Sequence, residues 1–375
     1  MSNFKQNTVE VVGDAVLADS IVDRSITELQ DNITTSIAAQ KFRGCAALTN
    51  VIFPSVTSVG LAAFWNCTAL KQADFEKTVS FANNAFYGCS ALAALILRNT
   101  EAVSSLTGNL SGTLIASGTG YIYVPAALVD TYKAATGWST YADQIRAIED
   151  YPGVCDLYTW EGVFANIDDG SYASVYSVGD LVPLDLGSEG VVNMQIAGFD
   201  VDDKADGTGK APISWISKEL LKTTHRMNPA LVTNDDGTYQ DGTGSIGGWG
   251  SSEMRTYLKD TIKPLIPETV RNSIVTVTKT HPSYNTAGTI ETQTTEDDVW
   301  IPSKDEVYGE TSKYYELFQD TSINRCKKYA GSSAYQYWWL RSASETNYFQ
   351  RVITTGGYSD NGASVARYIA LGFCT

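Results

Sequence analysis

Histidine is nearly absent from this chain. Only His225 and His281 occur among 375 residues, and neither stands at a spacing that builds a metal site or a catalytic triad. That scarcity argues against a hydrolase running on imidazole chemistry. Charge is sparse as well, at 18% of residues, and unbalanced, with 42 acidic against 27 basic side chains and a formal net charge of -15. Such a surface lacks the phosphate-neutralising patch of a nucleic-acid binder and is repelled by anionic lipid, so neither is expected as a partner. No apolar run approaches the length of a membrane span, so membrane insertion is not expected. The opening MSNFKQNTVEVVGDAVLADS has no apolar stretch behind a basic start, so it carries no visible export signal.

What the chain has is aromatic and turn-forming: 21 Tyr, 8 Trp and 31 Gly, with 43% apolar residues. This predicts a turn-rich, mostly β protein with amphipathic aromatic surface, long enough for two domains. The composition suits recognition better than chemistry.

Repetition is the clearest pattern. Phe42, Phe64 and Phe86 lie 22 residues apart, as do Cys45, Cys67 and Cys89, and Leu48, Leu70 and Leu92. Each copy continues with two apolar residues two apart (Val51 and Phe53, Ala73 and Phe75, Leu95 and Leu97), which fall on one face of a short strand. A fixed period of this length predicts a solenoid whose coils bury their apolar faces against one another. The segments FRGCAALTNVIFP, FWNCTALKQADF and FYGCSALAALIL resemble the leucine-rich repeats of BspA-like surface proteins. Ile26 to Phe42 reads as a degenerate first copy, because Ser36, Ile37 and Phe42 align with Ser58, Val59 and Phe64. The stretch from Gly118 to Ile148 breaks the period and reads as a strand plus a helix that cap the solenoid. Three to four coils make a small concave face, so a spacer role is favoured over a primary ligand site. The recurring cysteines read as reduced thiols stacked in register, since no histidine joins them.

The turn EDYPG, Glu149 to Gly153, marks a boundary. The organisation expected is a segment 1–25 for attachment or oligomerisation, a repeat domain 26–150 and a second domain 151–375. In the latter, β-prone runs (Ser174 to Val182, Val191 to Phe199, Ser273 to Lys279, Val299 to Pro302) alternate with Asp/Gly turns. Ser251 is placed to cap a helix carrying Met254, Leu258 and Ile262, and Ser303 with Glu306 forms a capping box. The fold class is α+β, mostly β, with a dominant antiparallel component.

Several motifs fail on context. Gly242, Gly244 and Gly247 match a dinucleotide fingerprint but follow a polar NDDGTYQD segment, so they read as a loop. The run Asp202 to Gly207 suggests a calcium loop, yet Lys204 takes a ligand position and Ile213 stands where the bidentate Glu belongs. The pairs Asp168-Asp169 and Asp297-Asp298 sit in turn-like sequence, where solvation explains them. No catalytic residue, metal or cofactor is expected.

The informative element is Tyr337-Trp338-Trp339-Leu340-Arg341-Ser342-Ala343-Ser344, followed by a polar and aromatic stretch and then Ala370-Leu371-Gly372-Phe373-Cys374-Thr375. With Gly198-Phe199-Asp200, Met227-Asn228, Gly247 to Arg255 and Val299 to Ser303, it resembles C-type-lectin-fold domains of gut bacterial and phage proteins, over most of residues 156–375. In many such domains the segment after WWLRS is the variable region of a diversity-generating retroelement. A reverse transcriptase miscopies template adenines there and scatters Asn-type codons into Tyr, Ser, Asp, Phe, Ile, Arg and Thr. The resemblance therefore implies a variable region at about 343–370. The ligand-binding positions it implies are Thr346, Asn347, Tyr348, Arg351, Ile353, Tyr358, Ser359, Asp360, Asn361, Ser364, Arg367 and Tyr368; Phe349 is of an accessible type too. Trp338, Trp339, Leu340 and Phe373 are assigned to the core, and Arg341 to a buried ion pair. The expected function is a non-enzymatic phage tail receptor-binding protein engaging a bacterial surface protein or glycan, as a homotrimer or attached to a virion. A fixed-sequence bacterial surface adhesin or carbohydrate-binding module is the alternative. An enzyme of the formylglycine-generating branch lacks a reactive cysteine pair.

Overall fold

A computed structural model describes residues 8–11, 26, 28–31, 33–309, 314–319 and 322–375. They divide into two compact units, one drawn from the chain up to Leu157 together with Glu161–Ala165, the other from Tyr158–Trp160 and Asn166–Thr375.

The first unit is a parallel-stranded solenoid. Its strands are β1 (Thr8–Val11), β2 (Glu28–Asp31), β3 (Ser36–Ile37), β4 (Asn50–Phe53), β5 (Ser58–Val59), β6 (Gln72–Phe75), β7 (Ser80–Phe81), β8 (Ala94–Leu97), β9 (Ser105–Leu106), β10 (Tyr121–Val124) and β11 (Ile145–Ala147). The longer strands form one sheet in the order β1-β2-β4-β6-β8-β10-β11, and the two-residue strands a second, β3-β5-β7-β9. The 22-residue period is the register itself: Glu28 pairs Asn50, Asn50 pairs Gln72, and Gln72 pairs Ala94. Ser36 pairs Ser58, so the degenerate copy is a coil like the others.

Stacking in register repeats each side chain along the solenoid axis. Phe42, Phe64 and Phe86 stack at 4.9 and 5.2 Å between centroids, with ring planes within 7° and 6°. The cysteines are free, and Cys67 and Cys89 donate their thiols to the Phe42 and Phe64 carbonyls one coil back, at 3.0 and 2.9 Å. Hydrogen bonding to Cys89 and burial push the Cys67 thiol well above its ordinary pKa, so it stays protonated.

The ladder extends further than the period shows. β1 joins β2 on one side, and β10 and β11 join β8 on the other, across a loop long enough to erase the repeat. The stretch expected to hold a strand and a helix forms β10 and the helix Val129–Ala134. Tyr132 accepts from the Ser104 amide and Trp138 donates to the Ser104 carbonyl, at 2.9 and 2.6 Å, which closes the last coil's core. Of the segment 1–25 assigned to attachment, Thr8–Val11 is a strand of this sheet, and the rest lies outside the described residues. The unit continues past the EDYPG turn: Cys155, in the helix Pro152–Cys155, packs on Ala94, Ile96 and Tyr123 of the long-strand sheet. Arg98 adds ion pairs to Asp74 and Asp156 at 2.8 and 2.9 Å.

The second unit is α+β. Its central antiparallel sheet runs β12-β13-β14-β21-β17, from β12 (Leu181–Asp185), β13 (Val191–Phe199), β14 (Ile213–Ser217), β17 (Val299–Trp300) and β21 (Gly372–Cys374). Between β14 and β17 in the chain lies the hairpin of β15 (Val277–Tyr284) and β16 (Ile290–Asp297). A third sheet, β18 (Trp338–Glu345), β19 (Tyr348–Val352) and β20 (Tyr358–Gly362), precedes β21. The core is tryptophan-rich: Trp215, Trp249, Trp300, Trp338 and Trp339 have no exposed surface. Gly372 lets β21 pass against Trp300, because a Cβ there would stand 2.3 Å from the indole ring.

Three local expectations need correction. Ser174 to Val182 is not one strand: Tyr172–Val175 is a helical turn and pairing begins at Leu181. Ser273 to Lys279 becomes regular strand only from Val277. The helix Glu253–Tyr257 is capped by Ser252, not Ser251; the Ser252 hydroxyl accepts from the Arg255 amide at 3.1 Å, the capping hydrogen bond Ser251 was expected to make. Met254, Leu258 and Ile262 are buried on this helix and its continuation, and Ser303 with Glu306 forms the predicted capping box.

Candidate ligand-binding face

β18 enters as core and leaves as surface. Trp338 to Ala343 are buried, Ser344 is half-buried and Glu345 exposed. The two indoles are satisfied by backbone carbonyls, Trp338 donating to Arg325 and Trp339 to His225, each at 3.0 Å. Arg341 makes the expected buried ion pair: its guanidinium donates to both Glu306 oxygens at 2.6 and 2.7 Å.

That pair belongs to a larger network. Lys279 on β15 reaches Asp202 at 2.6 Å, Glu306 at 3.1 Å and the Tyr315 hydroxyl at 2.8 Å, with its ammonium 3.6 Å from the Trp300 ring centroid. Asp202 also accepts from Ser214 and Tyr315, each at 2.7 Å. Two carboxylates thus balance two cations in a site sealed from water. Burial alone would raise the Glu306 pKa, but Arg341 and Lys279 outweigh it and hold the carboxyl below its ordinary value. The Asp202 carboxylate, first of the acidic loop 202–206, is thus spent inside the core on Lys279, Ser214 and Tyr315. No metal-type spacing announces this cluster, because its members come from four separate elements.

Beyond Glu345 the segment becomes a displayed ribbon. The turn at Thr346 and Asn347 joins β18 to β19, and is pinned where the Ser245 amide donates to the Thr346 carbonyl and the Ala363 amide to that of Asn347, both at 3.0 Å. Gly244 makes the approach possible: its φ is +55°, and a Cβ there would stand 2.5 Å from the Thr346 oxygen. In the β19–β20 pair Tyr348 faces Gly362, Gln350 faces Asp360 and Val352 faces Tyr358, while Phe349 faces Asn361 and Arg351 faces Ser359. Opposed residues share a face and neighbours alternate, so the candidate positions are shared between two faces of the ribbon.

None of the twelve implied positions is buried. Tyr348, Tyr358, Asp360 and Ser364 are exposed; Thr346, Asn347, Arg351, Ile353, Ser359, Asn361, Arg367 and Tyr368 are half-buried. Phe349, of an accessible type by the same reasoning, is fully buried and belongs to the core. The structure gathers the positions into groups. On one side Tyr358 lies edge-on to Tyr308 at 5.0 Å, with the Lys304 ammonium 4.4 Å from its ring centroid. On the other, Arg351 donates to Ser359 at 3.1 Å and to Asn361 at 2.6 Å, and Arg367 reaches the same Asn361 oxygen at 2.9 Å. Tyr368 stacks on Tyr329 at 5.4 Å. Ile353 sits in the β19–β20 turn, its amide bonded to the Gly357 carbonyl at 2.8 Å.

Tyr337 was not among the implied positions. It is exposed, and its ring lies 4.5 Å from the Arg351 guanidinium and 5.5 Å from that of Arg367. Its place just before two buried tryptophans made it read as part of the core motif.

With this geometry in place, comparison with known families separates the two units. Residues 23–110 match the BspA type leucine rich repeat region (6 copies), so the chain carries a leucine-rich-repeat region of that type. Residues 217–369, which include the ribbon, match a domain of unknown function (DUF6273). No curated protein matches the chain.

Proposed function

We propose that the C-terminal unit is a non-enzymatic receptor-binding domain, and that the ribbon from Thr346 to Tyr368 is its ligand-binding face. One observation carries the reading: the buried scaffold residues Trp338, Trp339, Leu340, Arg341 and Phe373 flank a stretch in which all twelve candidate positions keep solvent access. A face that varies must tolerate change without unfolding the domain, and tyrosine, arginine, serine and asparagine supply large contacts with adaptable hydrogen bonds. On this reading the scaffold is C-type-lectin-like, the region 343–370 is diversified by a retroelement, and the protein serves at a phage tail, engaging a bacterial surface protein or glycan. The BspA-type repeats favour a second reading, a fixed-sequence adhesin on the bacterial surface.

The test is titration of the fluorescently labelled full chain on a panel of bacterial cells, beside a variant with Tyr348, Tyr358 and Tyr368 all changed to Ser. The proposal expects saturable binding to some strains and its loss in the variant, with the melting temperature retained. Equal binding by both proteins would refute this assignment of the face. To separate the two readings, the coding region for residues 343–370 is sequenced across a population: substitutions confined to the twelve positions support diversification, and an invariant region supports the adhesin.

A further inference from the structure

Among the described residues, Arg351 and Arg367 come together without a carboxylate partner. Both donate to one acceptor, the Asn361 Oδ1, at 2.6 and 2.9 Å, and Arg367 adds an Nε contact to it at 3.2 Å. That acceptor is a neutral amide oxygen, occupying the place where a carboxylate would neutralise the pair. The remaining contacts are to Ser359 and the Ala366 carbonyl, also neutral. Among the described residues neither guanidinium has a carboxylate within salt-bridge distance, although acidic residues outnumber basic ones across the chain. Arg351 is held less basic than usual, first by partial burial and then by the charge of Arg367.

The donors are oriented but not exhausted. A guanidinium carries five N–H groups. Arg351 uses its Nε and Nη1, and its Nη2 has no bond within the described residues. The Tyr337 ring braces both side chains from one side, so little rotamer freedom remains to be lost on binding. Tyr337 is a large exposed ring beside both guanidinium groups, whereas Tyr348 and Tyr358 belong to the opposite face of the ribbon. The exposed phenol ring of Tyr337 suits the apolar face of a sugar ring.

We infer that the Arg351–Arg367–Asn361 cluster, braced by Tyr337, binds the carboxylate of an acidic sugar in a surface glycan. The inference rests on the ribbon being the ligand-binding face and names the ligand chemistry of one of its sides. A planar carboxylate accepts paired N–H bonds from guanidinium and supplies the charge that Asn361 does not.

The test is calorimetric titration of the full chain with trigalacturonate, its methyl ester and triglutamate. The three share length, and the last two remove the charge or the sugar ring. Binding of trigalacturonate alone is expected, weakened about tenfold or more by Arg351→Gln or Arg367→Gln. Asn361→Asp is the decisive variant, because it keeps the side-chain shape and supplies the missing counter-ion. It should raise the melting temperature while abolishing trigalacturonate binding, an outcome misfolding cannot produce. Equal binding of the ester, equal binding of triglutamate, unchanged affinity in the arginine variants, or no binding of trigalacturonate at all would each overturn the inference. If trigalacturonate does not bind while cell binding still depends on Tyr348 and Tyr358, the acidic-sugar assignment falls and the ligand-binding face stands.

Discussion

Trp339 and Tyr348 belong to paired strands yet carry opposite roles. Trp339 is fully buried and donates to the His225 carbonyl, whereas Tyr348 is 39% exposed. Trp339→Ala should cost about 3–5 kcal/mol through cavity formation. Tyr348→Ser and Tyr358→Ser should each shift stability by no more than about 0.5 kcal/mol, as surface changes usually do. Chemical denaturation of the three variants checks both numbers. Glu306→Gln should cost about 3–5 kcal/mol, because it leaves Lys279 and Arg341 underpaired in a water-free site. His281 adds a pH dependence. Burial, then the Arg341 charge, lowers its pKa from 6.5 to about 4, so the folded imidazole is neutral where the unfolded one is charged. Between about pH 6.5 and 4 the unfolded chain binds the extra proton, and stability falls as pH drops through that window. Glu306 acts lower: its folded pKa is depressed, so its contribution is complete above the ordinary value of 4.5 and is lost on further acidification. Melting of His281→Gln should show a shallower fall between pH 6.5 and 4.5 than the parent, and an unchanged slope would remove His281 as the cause.

Among the elements, the solenoid coils were the most legible. Identical side chains stack one above another, so Phe42, Phe64 and Phe86 announce the register that β4, β6 and β8 adopt. Legibility ended where that constraint relaxed. β9 pairs β7 at an offset of 25, Ser80 with Ser105, and β10 follows a longer loop, so neither repeats the spacing. In the second unit β13 was readable from Val191 to Phe199 because both ends are marked by turns. Ser174 to Val182 misled because Val175 occupies a helical turn and Val178 a loop, leaving only Val182 in a strand. The candidate positions came from the resemblance and not from any local pattern, and their division between two faces depends on the β19–β20 register, which only the fold supplies. The Asp202–Lys279–Glu306–Arg341 network was not legible, because only folding brings its members together. The register account predicts that deleting one whole period, residues 60–81, leaves a shorter cooperative solenoid, whereas deleting half a period mismatches every ladder below the cut. Circular dichroism melts distinguish the two.

For the whole molecule, each unit has its own core, the phenylalanine ladder in the first and the tryptophan cluster in the second. We expect residues 158–375 expressed alone to be soluble and to melt cooperatively; obligatory aggregation would argue for a shared core. The account's central claim is that the C-terminal segment divides into a rigid scaffold and a surface free to vary. The most direct measurement is a substitution scan of every position from Trp338 to Cys374 in the full chain, read out as the fraction folded. The account predicts that Thr346, Tyr348, Tyr358, Ser359, Asp360 and Ser364 accept most residue types, while Trp338, Trp339, Leu340, Arg341, Phe349, Val352 and Phe373 accept few. Equal intolerance at the two sets would contradict it.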